Sequence, residues 1–352
     1  MKTLLSTLSR YRWTFLMIAF LVSFYAFMYS FHQLQQSHRG TEEAATESSQ
    51  RVFHETLSKK EAVFLQNIRS RPRLVSAMTL TFAGVLLMGF GLNLYVVSRR
   101  IHGLPAMISS GAGLPSVPWG MADIVQMFVL LFFVEALLIS AQLGISTVMD
   151  KEWPGKDFML MANSLVRDIL VAGFVVLVVT RKYRTKIAHM GLSTVRLWQN
   201  IKTGVLAYVA IIPALIVVLI ITGTVAKLFS YEPPPQPVVQ IYLNENKNPQ
   251  LLFFSFFVAL LGPAIEEIFF RGFTYQAFRT RFGATKAMFL SAFIFSFLHL
   301  NLVAFIPIFF LGVVLSYLYE KTGTLAAPMT VHMLHNFLMV CFTFFYKAYS
   351  AG

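Results

Sequence analysis

Two adjacent carboxylates, Glu266 and Glu267, and an arginine four residues on, Arg271, sit in a run from Gly262 to Gly272 whose other residues suit lipid. A charge at membrane depth costs about 3 kcal/mol on insertion scales, so a cluster of three marks chemistry or a conduction path. On a helix Glu267 and Arg271 share a face, with Glu N-terminal to Arg, the favourable order for a pair. Glu266 falls about 140° from Arg271 on an ideal helix. The arginine therefore neutralises Glu267 and leaves Glu266 facing elsewhere. A carboxylate without a cationic partner in an apolar site is suited to general-base work.

Two later segments carry residues of complementary chemistry. Phe295 and His299 are four apart, as are His332 and Asn336, with His335 beside them. Each pair shares one face of a helix. Thirteen residues separate Glu266 from Arg279, thirteen separate Lys286 from His299, and fifteen separate Lys321 from Asn336. At about 1.5 Å per residue, these basic edges place all three groups roughly 20 Å into a membrane. A lone intramembrane His or Asn is commonly an interhelical hydrogen bond. Shared depth argues for a site instead: a carboxylate, imidazoles and an amide at one level can activate water, carry its proton and hold an oxyanion.

The rest of the chain must bring these groups together. Of 352 residues, 56% are hydrophobic and 13% charged, which excludes an ordinary soluble domain. Apolar segments run from Tyr11 to Phe31, Val75 to Val97, Met121 to Ile145, Phe158 to Thr180, Val205 to Phe229, Leu251 to Phe270, Ala287 to Leu300, Leu302 to Tyr319 and Leu325 to Tyr346. The expected fold is all-α, a polytopic membrane bundle of about eight or nine transmembrane helices. Strands are excluded, because continuous apolar runs do not fit the alternation of a barrel. The net charge of +13 is gathered in short clusters between these runs, which is how orientation is recorded and not how nucleic acid is bound. The clusters place the N-terminus in the cytoplasm.

Two regions follow. Residues 1–185 are expected to form an N-terminal membrane region with an uncleaved anchor helix, an amphipathic outer segment at 40–70 and extra transmembrane helices. Residues 186–347 are expected to hold the catalytic core. In the segment 40–70, Phe53, Leu57, Phe64 and Ile68 recur near the helical period. Glu135, Arg167 and Asp168 lie inside apolar segments and are read as pairing internally or sitting near an interface, in preference to a catalytic role. The prolines at 233–237 predict a stiff loop.

The ordered set Glu266-Glu267-x-x-x-Arg271 with Gly272, then Phe295-x-x-x-His299, then His332-x-x-x-Asn336 resembles the CAAX protease and bacteriocin-processing (CPBP) family, intramembrane glutamic endopeptidases that include the type II CAAX prenyl endopeptidases. Pro263, Gly312, Thr322-Gly323-Thr324-Leu325 and Pro328 add to the likeness, which spans Gly191 to Tyr346. The resemblance implies metal-independent peptide-bond hydrolysis at the membrane. It implies that Glu266 with His299 activates water, that His332 and Asn336 stabilise the oxyanion, and that Glu267, Arg271 and Phe295 support them. The implied partner is a membrane-anchored protein or small peptide, in a bacterial cytoplasmic (inner) membrane.

Other chemistries find less footing. HExxH, GxSG and GxGD motifs are absent from the sequence. The single cysteine, Cys341, lies nine residues after His332 and so on the opposite helix face. No cofactor is expected; a metal held by Glu266, His299 and His332 is the alternative in that class. Outside hydrolysis, the alternatives are a non-catalytic scaffold, chaperone or immunity-type binding protein, or a proton-coupled transporter. A transporter would be expected to show an inverted repeat, and none is visible.

Overall fold

Continuous apolar runs leave the backbone no partner but itself, and every regular element among the described residues is a helix. The computed structural model describes residues 13–29, 42–104, 113–148, 156–231, 241–242 and 248–350. In chain order the helices are α1 (Trp13–Tyr29), α2 (Glu42–Arg69), α3 (Pro72–Ile101), α4 (Met121–Val148), α5 (Phe158–Lys182), α6 (Leu197–Leu228), α7 (Pro249–Phe282), α8 (Ala284–Phe297), α9 (Leu302–Thr322) and α10 (Ala326–Ser350). Seven of them, α3 to α7, α9 and α10, are long and apolar enough to cross a membrane; α1 and α8 are apolar but shorter. The chain is a polytopic helical bundle and an integral membrane protein. Lys2, Arg10, Arg12 and the proline run at 233–237 lie outside the described residues.

The chain divides into two compact units. One comprises Met1–Pro72, Val125–Arg167 and Phe345–Gly352. Within it Phe20 of α1 meets Phe133 of α4 edge-on, and Arg167 of α5 pairs with Glu135 of α4 at 3.1 Å. The end of α2 rests on the end of α10. There Phe64 packs on Tyr346 at 5.0 Å, and Asn67 Nδ2 donates to Tyr349 O at 2.8 Å.

The other unit comprises Arg73–Ile124 and Asp168–Phe344 and holds every residue singled out for chemistry. Tyr208, Leu311, Leu315, Leu318, Ala327 and Val331 form a core between α6, α9 and α10. Two glycines with positive φ set the entries to the chemistry. Gly283 (φ 78°) turns the chain from α7 into α8, and Gly323 (φ 69°) ends α9 with its N–H on Tyr319 O. Both conformations penalise any residue with a Cβ.

The helix that matters most is not regular. α7 alternates α turns with two wide i→i+5 turns, Phe257–Leu261 and Ile268–Tyr275. Pro263 explains the first. Its ring cannot pass the carbonyl four residues back and it has no N–H to donate, so the preceding turn opens. Gly262 N–H bonds Phe257 O, five residues back. In the same register Val258 O would take its bond from residue 263, which is proline. Such turns are uncommon and concentrate at functional sites. The wheel angle of 140° between Glu266 and Arg271 assumed an ideal helix and does not hold across Ile268–Tyr275.

Candidate active site

Glu266 and Glu267 close the short α turn Gly262–Glu267 between the two wide turns, and Arg271 lies inside the second. Glu267 and Arg271 are both fully buried, with Arg271 Nη1 donating to Glu267 Oε1 at 2.8 Å. Arg271 Nη2 donates to Gly312 O at 3.2 Å. Gly312 also lets α9 approach α8 closely, since a Cβ there would stand 3.0 Å from Ala292 Cβ. The guanidinium also lies over the Phe295 ring, 4.5 Å from its centroid. Glu267 Oε2 and Arg271 Nε have no hydrogen-bond partner among the described residues. A buried pair left partly unsatisfied is expensive, so its placement depends on the packing around it.

His332 joins the two carboxylates. Its Nδ1 lies 2.9 Å from Glu267 Oε1, and because a carboxylate only accepts, Nδ1 carries a proton. Its Nε2 then faces Glu266 Oε2 at 3.7 Å, an ion-pair distance and too long for a hydrogen bond. The exposures differ in a useful way: the His332 side chain is 4% exposed and Glu266 is 32% exposed. Glu266 is the accessible member of the group.

Phe295, buried, is the hub for the remaining ring contacts. His299 meets it edge-on at 4.8 Å and His332 at 5.6 Å. His299 Nδ1 donates to Phe295 O at 2.7 Å, so a neutral ring presents a bare Nε2 from an exposed position. Asn336 is tied to the first wide turn. Its Nδ2 donates to Val258 O at 2.9 Å, the carbonyl that Pro263 leaves without a backbone donor, so one amide N–H is spent. His335 Nδ1 meets the Tyr208 hydroxyl at 3.3 Å and takes no part in the carboxylate group.

The structure thus joins Glu266, Glu267, Arg271, Phe295 and His332, and reaches His299 through Phe295. The implied partnership of Glu266 with His299 is not a direct contact: Glu266 is paired with His332, and no hydrogen bond or ion pair joins it to His299 among the described residues. No group of three or more His, Cys, Asp or Glu side chains among the described residues is arranged to hold a metal ion. Ser291 was not singled out from sequence, yet its hydroxyl donates to Phe270 O at 3.2 Å and ties α8 to the second wide turn. A serine on an apolar helix is the signal that was available.

Residues 248–338 match the family model of the type II CAAX prenyl endopeptidases, Rce1-like. Over 99 residues the chain is also 38% identical to the membrane-embedded CAAX protease MroQ of Staphylococcus aureus. Over this segment the chain is similar to CAAX proteases. The likeness to that relative covers 25% of this chain and 38% of the relative's length. No solved structure matches. The matched segment contains Glu266, Glu267, Arg271, Phe295, His299, His332 and Asn336, so the polar group above falls wholly inside the part similar to known proteins.

Proposed function

We propose that the chain is a metal-independent intramembrane endopeptidase of the glutamic type, cutting a membrane-anchored protein or a small peptide. The observation that carries this is the asymmetry of the paired carboxylates. Glu267 is buried with Arg271 and His332, and Glu266 stands beside the same histidine but accessible. In the reaction Glu266 takes a proton from a water whose oxygen adds to the scissile carbonyl carbon. The bare Nε2 of His299 offers a second acceptor to that water. The oxyanion is met by the remaining Asn336 N–H and by His332, which must carry a proton on Nε2 as well as on Nδ1 to donate to it. Collapse breaks the C–N bond, and the amine leaves with the proton returned from Glu266. The basic loops fit a bacterial inner membrane with the N-terminus in the cytoplasm.

The test compares membrane proteomes of cells carrying the wild-type chain, Glu266→Gln and His299→Ala, each checked for normal accumulation and melting. Uncut precursors should build up in both variants, with cleavage of such a precursor slowed by at least about a hundredfold in Glu266→Gln. Cleavage at equal rates by wild type and both variants would make the site non-catalytic and favour a scaffold.

A further inference from the structure

The segment that matches the family model begins at residue 248, yet its irregular helix is held by residues from the chain's first half. Residues 113–120, between α3 and α4, form no regular element, but Leu114, Val117 and Trp119 are buried. Trp119, 1% exposed, stacks on Phe273 with centroids 5.7 Å apart and planes 9° from parallel. Its Nε1 donates to Phe273 O at 3.0 Å. An indole N–H only donates and needs an acceptor when buried, so this bond fixes both the ring and the carbonyl it meets.

The segment is anchored on either side of that contact. Arg279 Nη1 reaches Leu114 O at 3.3 Å. Asp123, buried at the start of α4, accepts from Gly120 N–H at 2.9 Å and from the Tyr183 hydroxyl at 2.7 Å, and pairs with Lys182. Burial and the bond to Asp123 raise the Tyr183 phenol above its ordinary value, which keeps it a donor. All of these residues belong to one compact unit. The acceptor, Phe273, lies in the wide turn Ile268–Tyr275, two residues from Arg271. A turn with an uncommon hydrogen-bond pattern owes its persistence to tertiary contacts. Ser291 supplies one such contact from α8, Arg271 and Tyr275 reach α9 at Gly312 O and Glu320, and Trp119 supplies the contact from the chain's first half.

We infer that Trp119 is a positioning residue: its indole N–H, held by the 113–123 brace, keeps the Ile268–Tyr275 turn open and so sets Arg271 and Glu267 beneath Glu266. The structural half of this stands alone; its effect on cleavage rests on the protease reading above. Trp119→Phe, which keeps a ring on Phe273 and removes the donor, is the decisive variant, with Trp119→Ala removing both. The full chain is purified in lipid nanodiscs and followed by hydrogen–deuterium exchange peptide by peptide. Cleavage of a precursor that accumulates in Glu266→Gln cells is measured alongside. In Trp119→Phe, exchange over 268–275 should rise about fivefold, the effect of one net hydrogen bond. kcat should fall by a similar factor while KM stays within about twofold, as for a group acting only on the transition state. Unchanged exchange over 268–275 in Trp119→Phe overturns the inference. So does exchange that rises equally in all helices, or local loosening with wild-type kcat. If the wild-type chain cuts nothing, the protease reading fails by itself, and the exchange arm still decides whether Trp119 holds the turn.

Discussion

Two carboxylate–arginine pairs, Glu135 with Arg167 and Glu267 with Arg271, are built differently. Arg167 reaches Glu135 from a neighbouring helix at 3.1 Å, with side chains 27% and 32% exposed. Arg271 reaches Glu267 one turn away on its own helix at 2.8 Å, with both side chains fully buried. The second pair also engages His332, Gly312 O and the face of Phe295. A partly exposed pair relieves the cost of two charges. A buried pair that recruits a histidine and a backbone carbonyl fixes geometry, because each added contact removes a direction in which the carboxylate can swing.

The largest expected effect breaks the buried pair. Arg271→Met leaves Glu267 an uncompensated buried charge, and loss of one partner of such a pair costs about 3–5 kcal/mol. The melting temperature of the purified chain should drop steeply or the chain should fail to accumulate. Removing both charges, in Glu267→Leu with Arg271→Met, should restore much of the stability, since apolar replacement of a buried pair is often near neutral. Cleavage should not return with it. Restored activity in the double variant would mean that the pair serves only to fold the helix.

How much of this was legible beforehand follows from what kind of contact each residue makes. The i,i+4 pairing of Glu267 with Arg271 is local and survives as a direct bond, because spacing on one helix decides it. The helices were legible because apolar runs of that length have one structural solution. The bond from His332 to Glu267 spans 65 residues and depends on packing between helices that periodicity does not encode. The wide turns were missed although Pro263 was in view. A proline predicts that a helix must yield, not that it yields by opening a turn and offering Val258 O to Asn336.

That last contact gives the next effect in size. Asn336→Ala leaves Val258 O without its donor, costing about 1–2 kcal/mol for a buried group. Pro263→Ala returns a backbone N–H to the same register. The two changes should therefore couple: Asn336→Ala should cost about 1 kcal/mol less stability in the Pro263→Ala background than in the wild type. Melting curves of the four proteins measure this. Additive losses would show that Asn336 does not stand in for the missing proline N–H, leaving its other N–H as its whole contribution.

The smallest effect is expected at the other pair. Glu135 and Arg167 are partly exposed, so their Coulombic gain is screened. A double-mutant cycle on Glu135→Gln and Arg167→Met should give a coupling below about 1 kcal/mol, as for exposed ion pairs. Cleavage should stay at the wild-type rate in all three variants, provided each accumulates in the membrane. A coupling as large as that lost in Arg271→Met would mean that burial does not distinguish the pairs. Slowed cleavage with unchanged melting would mean that the first half of the chain reaches the chemistry through Arg167 as well as through Trp119.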